Sequence, residues 1–239
     1  GSFLVDQFPP SYLYLGGITN YGAHTIVSTP SDGHSSGATG RLAGIAALVY
    51  SAAEDAVRRG ELWRYPGLDR PLSACEVKQV LAMTADDVDF SPDSYGVGCG
   101  LLDAVIGPSE RFRSTPGWDP YFGYGRVNAY EAVKAVTEGR IPPEAEISSP
   151  RWFELIDPGR VSLAVEGMVA AVRADSYGYT VEWAPGWDPA EKDWRTVRSE
   201  GPLHEPVNGT LATLDLGQVY RAVQDSVGER GGSGDPNRN

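Results

Sequence analysis

The chain has 239 residues, 41% of them hydrophobic, which supports one large domain or two ordinary ones and excludes a disordered tail or a miniprotein held by disulfides alone. Twenty basic side chains stand against thirty-two acidic ones, a net charge of −12 with no local basic patch, so nucleic acid is not an expected partner. The longest unbroken apolar run, Ile45 to Tyr50, falls far short of the roughly 20 residues that a membrane-spanning helix needs, and no transmembrane segment is expected.

The amino terminus reads Gly-Ser-Phe, with no initiator methionine, basic n-region or apolar h-region. The expectation is a fragment, with any secretion signal outside it. Cys75 and Cys99 either close one loop or remain reduced thiols, and with three scattered histidines they make no metal spacing.

The first helix is expected to start between Ser35 and Gly37. Leu42, Ile45, Ala46, Val49, Ala53, Ala56 and Val57 recur at intervals of three and four, and so align on one face. Small residues at Ala38, Ala43, Gly44, Ala46 and Ala47 permit close packing, and the helix is expected to be central and buried. A second helix begins at Ser73, with Glu76 completing a capping box and Val77, Val80 and Leu81 forming its stripe. Residues 86 to 124, rich in Gly, Pro, Asp and aromatics, form either the wall of a binding cleft or a surface insertion. A third helix is capped by Asn128, carries Ala129, Ala132, Val133 and Val136, and stops at Gly139.

Gly139-Arg140-Ile141-Pro142-Pro143-Glu144 then separates helical periodicity from strand alternation, which divides the chain into residues 1–139, 140–222 and a flexible tail over 223–239. Val161, Leu163 and Val165 alternate with small or polar residues, as do Tyr177, Tyr179, Val181 and Trp183. Trp152 to Ile156 and Leu211 to Leu216 are the other expected strands, and four such strands predict a small antiparallel β-sandwich. Trp183 closes the alternating stripe and reads as core. Trp187 and Trp194 fall in a loop, and any of Trp183, Trp187 and Trp194 that is exposed is a candidate stacking platform for sugars.

The chemistry concentrates before the first helix, where Thr29-Pro30-Ser31-Asp32-Gly33-His34-Ser35-Ser36-Gly37-Ala38-Thr39-Gly40 places two serines at a loop-to-helix junction. Unsatisfied amides and the positive end of the helix dipole there stabilise the oxyanion that forms when a serine attacks a carbonyl. The same position is also the ordinary place for a serine N-cap.

Ser35-Ser36-Gly37-Ala38-Thr39-Gly40-Arg41-Leu42-Ala43-Gly44-Ile45-Ala46-Ala47-Leu48 resembles the serine motif of the subtilisin-like peptidases, Gly-Thr-Ser-x-Ala-x-Pro-x-Val-Ala-Gly-x-Ala-Ala-Leu. Three more segments are similar to that family in the same order. They are Asn20-Tyr21-Gly22 with Ile26 to Pro30, the run Leu72 to Ala85 containing Glu76-Val77-Lys78 and Thr84-Ala85, and Gly123-Tyr124-Gly125-Arg126-Val127-Asn128-Ala129. The resemblance covers about residues 18 to 138. It implies an α/β domain with a mostly parallel sheet flanked by helices, incomplete at its N-terminus, and a serine endopeptidase whose nucleophile is Ser36.

His34 stands where the family has glycine and Gly40 where it has proline. The family's aspartate, histidine and oxyanion asparagine precede the serine motif, and Asp6, Asp32, His24 and His34 stand in none of their sequence contexts; Asn20 aligns with a turn instead. A serine without a base stays protonated, so this chain alone is expected to be inactive unless His34, two residues away, substitutes. The resemblance further implies secretion, protein or peptide substrates, and a partner in the missing N-terminal part of the same catalytic domain. It also raises calcium as a cofactor. Asp86-Asp87-Val88-Asp89 and Gly117-Trp118-Asp119-Pro120 either hold that ion or are solvated acidic loops. Asn208-Gly209-Thr210 fits both a glycosylation acceptor and a turn. The alternatives to an endopeptidase are a degenerate subtilase and a non-catalytic module that docks on polysaccharide or another surface.

Overall fold

A computed structural model describes residues 21–22, 24–31, 35–88, 116–151, 154–157, 159–186, 189 and 191–229. The chain divides into two compact units, Gly1–Pro142 and Pro143–Asn239. The first is helical and the second is built mainly on antiparallel strands.

Unit 1 holds α1 (Ser35–Arg59), α2 (Ala74–Met83) and α3 (Ala129–Thr137). Each boundary follows from local hydrogen bonding. The 25-residue α1 ends in a Schellman motif, with Gly60 left-handed at φ 74°, its N–H donating to the Val57 carbonyl and Glu61 N–H to the Ala56 carbonyl. At the start of α2 the capping box is formed: Ser73 Oγ accepts from Glu76 N–H at 2.9 Å, and Glu76 Oε2 accepts from Ser73 N–H at 3.0 Å. Asn128 Oδ1 accepts from Glu131 N–H at the start of α3, and Gly139, at φ 69°, ends it.

Val49, Ala53 and Ala56 of α1 meet Ala132, Ala135 and Val136 of α3, with Val77, Val80 and Leu81 of α2 and Leu62, Leu72 and Val127 completing the core. The four alanines allow α1 and α3 to approach closely. Leu42, Ile45, Ala46 and Val57 are only partly buried against this cluster, and Leu48 is 50% exposed. The expectation of a central, buried α1 is therefore corrected: α2 and α3 cover one face of its C-terminal half, while its first turns lie in solvent.

The loops of unit 1 cross at isolated bridges, Val27 with Gly123, Ser28 with Arg126 and Asp86 with Arg126. Gly125 sits at this crossing with φ 117°, and a Cβ there would land inside the Asp86 backbone. Mixed α/β content is present, but among the described residues the expected parallel sheet is not: the sheets are antiparallel, and Ser28–Arg126 is an isolated parallel bridge. These segments contribute one or two paired residues each, too few to propagate a ladder.

In unit 2, β1 (Glu144–Ser149), β2 (Ser162–Ala170) and β5 (Val207–Asp215) form one sheet in the order β1-β2-β5, and β3 (Tyr177–Trp183) pairs with β4 (Arg195–Leu203) in another. Val165, Val169, Val181, Leu211 and Ala212 make a common core. The alternation read along β2 and β3 is present, though Val161 lies outside β2 and is exposed.

Sequence reading missed β1 and β4: β1 has only Ala145 and Ile147 as apolar residues, both exposed, and β4 lacks apolar alternation. Trp152 and Phe153 lie outside the described residues, and Glu154 to Ile156 are not in a strand. The last strand ends one residue before Leu216, because Asp215 Oδ1 accepts from Gly217 and Gln218 N–H and starts α4 (Leu216–Glu229). The segment expected as a flexible tail thus begins as helix over 223–229. Residues 230–239 lie outside the described residues.

Candidate functional site

Ser36 lies in the first turn of α1 and is exposed, as are Ser35 and Gly37. The first-turn amides have no intrahelical acceptor, so this end of α1 carries both the unpaired donors and the positive end of the dipole. No acidic side chain occupies the first turn to neutralise it, while Arg58 and Arg59 complement the opposite end. Thr39 Oγ1 donates back to the Ser35 carbonyl at 2.9 Å.

The segment leading toward the helix is held by two sets of bonds. Ser28 N–H donates to the Gly125 carbonyl and Val127 N–H to the Ser28 carbonyl, both at 2.8 Å. Farther along, Arg41 Nη1 reaches back from α1 to the Pro30 carbonyl at 2.8 Å. Ser31 packs over the first turn closely enough that a Cβ at Gly37 would stand 2.8 Å from its Oγ. Gly37 leaves room for the Ser31 hydroxyl, and the family motif leaves this position unspecified, so nothing in the motif signalled the contact. The Arg41 contact had no sequence signal either, because an exposed arginine reads as a solvated helix face.

Beside this turn opens an apolar cleft of about 480 Å³, lined among others by Thr29, Pro30, Arg41, Ile45, Leu48 and Val127. Its floor is the upper, uncovered part of α1.

His24 lies in an exposed turn, and among the described residues no imidazole or carboxylate stands within hydrogen-bonding distance of Ser36. His34, the substitute base weighed from sequence, lies outside the described residues with Asp6, Asn20 and Asp32.

The aspartates weighed for calcium are engaged by the protein. Asp86 accepts from Arg126 Nη2 at 2.7 Å and from Asn128 Nδ2 at 2.9 Å. The Arg126 bond, followed by that from Asn128, holds the Asp86 carboxyl below its ordinary range. Asp87 Oδ2 accepts from Gly117 N–H, and the buried Asp119 accepts through Oδ1 from Tyr121 and Phe122 N–H. Among the described residues no three acidic, histidine or cysteine side chains converge as a metal site, and Asp89 is outside them. Cys75 is half-buried on α2, and Cys99 lies outside the described residues.

The arrangement offers an exposed hydroxyl at a helix N-terminus, a braced loop before it and an apolar cleft alongside. No family model, curated protein or solved structure matches the chain.

Proposed function

We propose that this chain carries the nucleophile-bearing part of a secreted, subtilisin-like serine endopeptidase, with Ser36 as nucleophile. The single observation that supports this most is the placement of Ser36. It is solvent-exposed in the first turn of a 25-residue helix, followed by a glycine, in the segment that resembles the family's serine motif.

In the reaction, Ser36 Oγ attacks the carbonyl carbon of a peptide bond while a histidine accepts its proton. The C–N bond then breaks as that proton passes to the departing amine, and water hydrolyses the acyl-enzyme. The helix N-terminal amides favour negative charge on the tetrahedral oxygen. The histidine, its orienting aspartate and the oxyanion asparagine come from another part of the catalytic domain, for which the exposed Leu48 and half-buried Leu42 and Ile45 of α1 offer an apolar surface. Calcium, if the family's use of it extends to this chain, binds through oxygen ligands that the residues described above do not bring together.

A degenerate subtilase is the second reading, supported by the sequence, in which Asp6, Asp32, His24 and His34 stand in none of the contexts of the family's aspartate and histidine. Fluorophosphonate labelling separates the two. With the protein that completes the domain present, labelling that vanishes in Ser36→Ala supports the peptidase. Labelling unchanged in Ser36→Ala, or none at all in the completed domain, overturns it.

A further inference from the structure

The outward face of the β3–β4 pair has no part in the peptidase reading. Tyr177, Tyr179, Val181 and Val197 turn inward to the core of unit 2. The intervening Gly178, Thr180 and Glu182 on β3, with Thr196 and Ser199 on β4, are exposed. They form cross-strand polar pairs: the Thr180 and Ser199 hydroxyls lie 3.0 Å apart, and Thr196 Oγ1 donates to Glu182 Oε1 at 2.9 Å. Beyond one end of this row stands Trp194, two residues before Thr196 and 47% exposed. Beside it, the Arg195 guanidinium lies 5.5 Å from the ring centroid of its cross-strand partner Trp183, which is half-buried rather than core. At the other end the face is bare, since Gly178 and Gly201 meet so closely that a Cβ on Gly201 would stand 2.9 Å from the Gly178 Cα.

Charge and chemistry select the occupant. Arg195, Arg198 and Glu200 stand opposite Trp183, Val181 and Tyr179 in the register, so the outward row carries Glu182 as its one charged side chain and no cation, on a chain whose net charge is −12. An anionic polymer gains nothing there and is repelled at longer range. The outward row carries no aliphatic side chain, which gives a lipid or an apolar protein surface little to bury. A neutral sugar chain matches what is present. The apolar C–H face of a pyranose stacks on an indole, and its hydroxyls exchange bonds with exposed hydroxyl and carboxylate groups that retain spare donor or acceptor capacity.

We propose that the outward face of β3–β4 binds a neutral polysaccharide lying along the strands, with Trp194 as the stacking platform and Thr180, Glu182, Thr196 and Ser199 as the hydrogen-bonding floor. At about 3.4 Å per residue, the path from Trp194 to Gly201 is about 24 Å long, room for several sugar rings. The site is independent of Ser36 and stands whether or not the chain belongs to a peptidase.

Affinity electrophoresis of the full chain tests this in native gels containing xylan, hydroxyethylcellulose, laminarin or soluble starch, with polygalacturonate as the anionic control. Retardation is expected in at least one neutral gel, unchanged in Ser36→Ala and weakened at least tenfold in Trp194→Ala. Thr180→Val and Glu182→Gln, which leave the aromatic platform in place, are expected to weaken it severalfold. Trp63→Ala removes a comparably exposed tryptophan from unit 1 and should leave mobility unchanged. Normal mobility in all four neutral gels, retardation by polygalacturonate alone, or retardation that survives Trp194→Ala would each overturn the proposal. So would loss of binding in Trp63→Ala equal to that in Trp194→Ala.

Discussion

Replacing Gly125 with alanine tests whether the crossing of loops in unit 1 is what fixes the approach to α1. Gly125 has φ 117°, a conformation that costs an L-residue about 1–2 kcal/mol or more. The added Cβ would overlap the carbonyl group of Asp86, so the two backbones must separate. Separation breaks the paired bonds in which Asp86 N–H donates to the Arg126 carbonyl and Arg126 N–H donates to the Asp86 carbonyl, at 2.8 and 2.7 Å. Each is worth about 1 kcal/mol net. Together these give a loss of about 3–5 kcal/mol, a large part of a domain's stability.

Two other glycines calibrate that figure. Gly60 also has a positive φ, 74°, but a Cβ there meets nothing within 4 Å, so Gly60→Ala should cost only about 1 kcal/mol. Gly40 lies inside α1 with open space around it, and Gly40→Ala should stabilise by about 0.5–1 kcal/mol through helix propensity. Urea unfolding followed by circular dichroism ranks the three. The reasoning is refuted if Gly125→Ala loses no more stability than Gly60→Ala.

The Asp86 carboxylate is held below its ordinary range by Arg126 and Asn128, so its contribution is full above about pH 4 and declines as pH falls through the lower folded-state value. Both side chains of the ion pair are more than a third exposed, which limits that contribution to about 0.5–1 kcal/mol. Asp86→Asn should flatten this part of the acid limb in stability measured from pH 5 to 2, and an unchanged slope counts against it. Ser73→Ala removes one half of the capping box at a buried helix start and should lower the melting temperature by an amount equivalent to about 1 kcal/mol. Ser73→Asp retains an acceptor and should recover most of that loss. For the isolated chain, fluorophosphonate labelling is expected to be absent in wild type. Labelling that required both Ser36 and His34 would reverse that expectation and make His34 the base.

The sequence by itself determined what depends on neighbours three or four residues away. The caps at Ser73 and Asn128, the glycine stop at Gly139, and the alternation of β2 and β3 are short-range patterns, and each stands in the structure. The exposed serine at a helix start belongs to the same class. β4 escaped sequence reading because Arg195–Leu203 is largely exposed and its outward row is polar, so pairing with β3 rather than an apolar rhythm makes it a strand. α4 is a short-range case that sequence reading missed: Asp215 caps Gly217 and Gln218, two and three residues on, but it also ends β5, and a strand extended to Leu216 hides that cap.

Tertiary structure alone decided how much of α1 is covered. The same stripe of Leu42, Ile45, Val49, Ala53 and Ala56 serves a buried helix or a half-exposed one, and in the structure Val49, Ala53 and Ala56 are fully buried while Leu42 and Ile45 are only partly so. It also decided the role of Asp86, whose partners Arg126 and Asn128 are 40 and 42 residues away. Sequence spacing encodes contacts along one element, whereas contacts between elements exist only after the chain has closed the loops that bring them together.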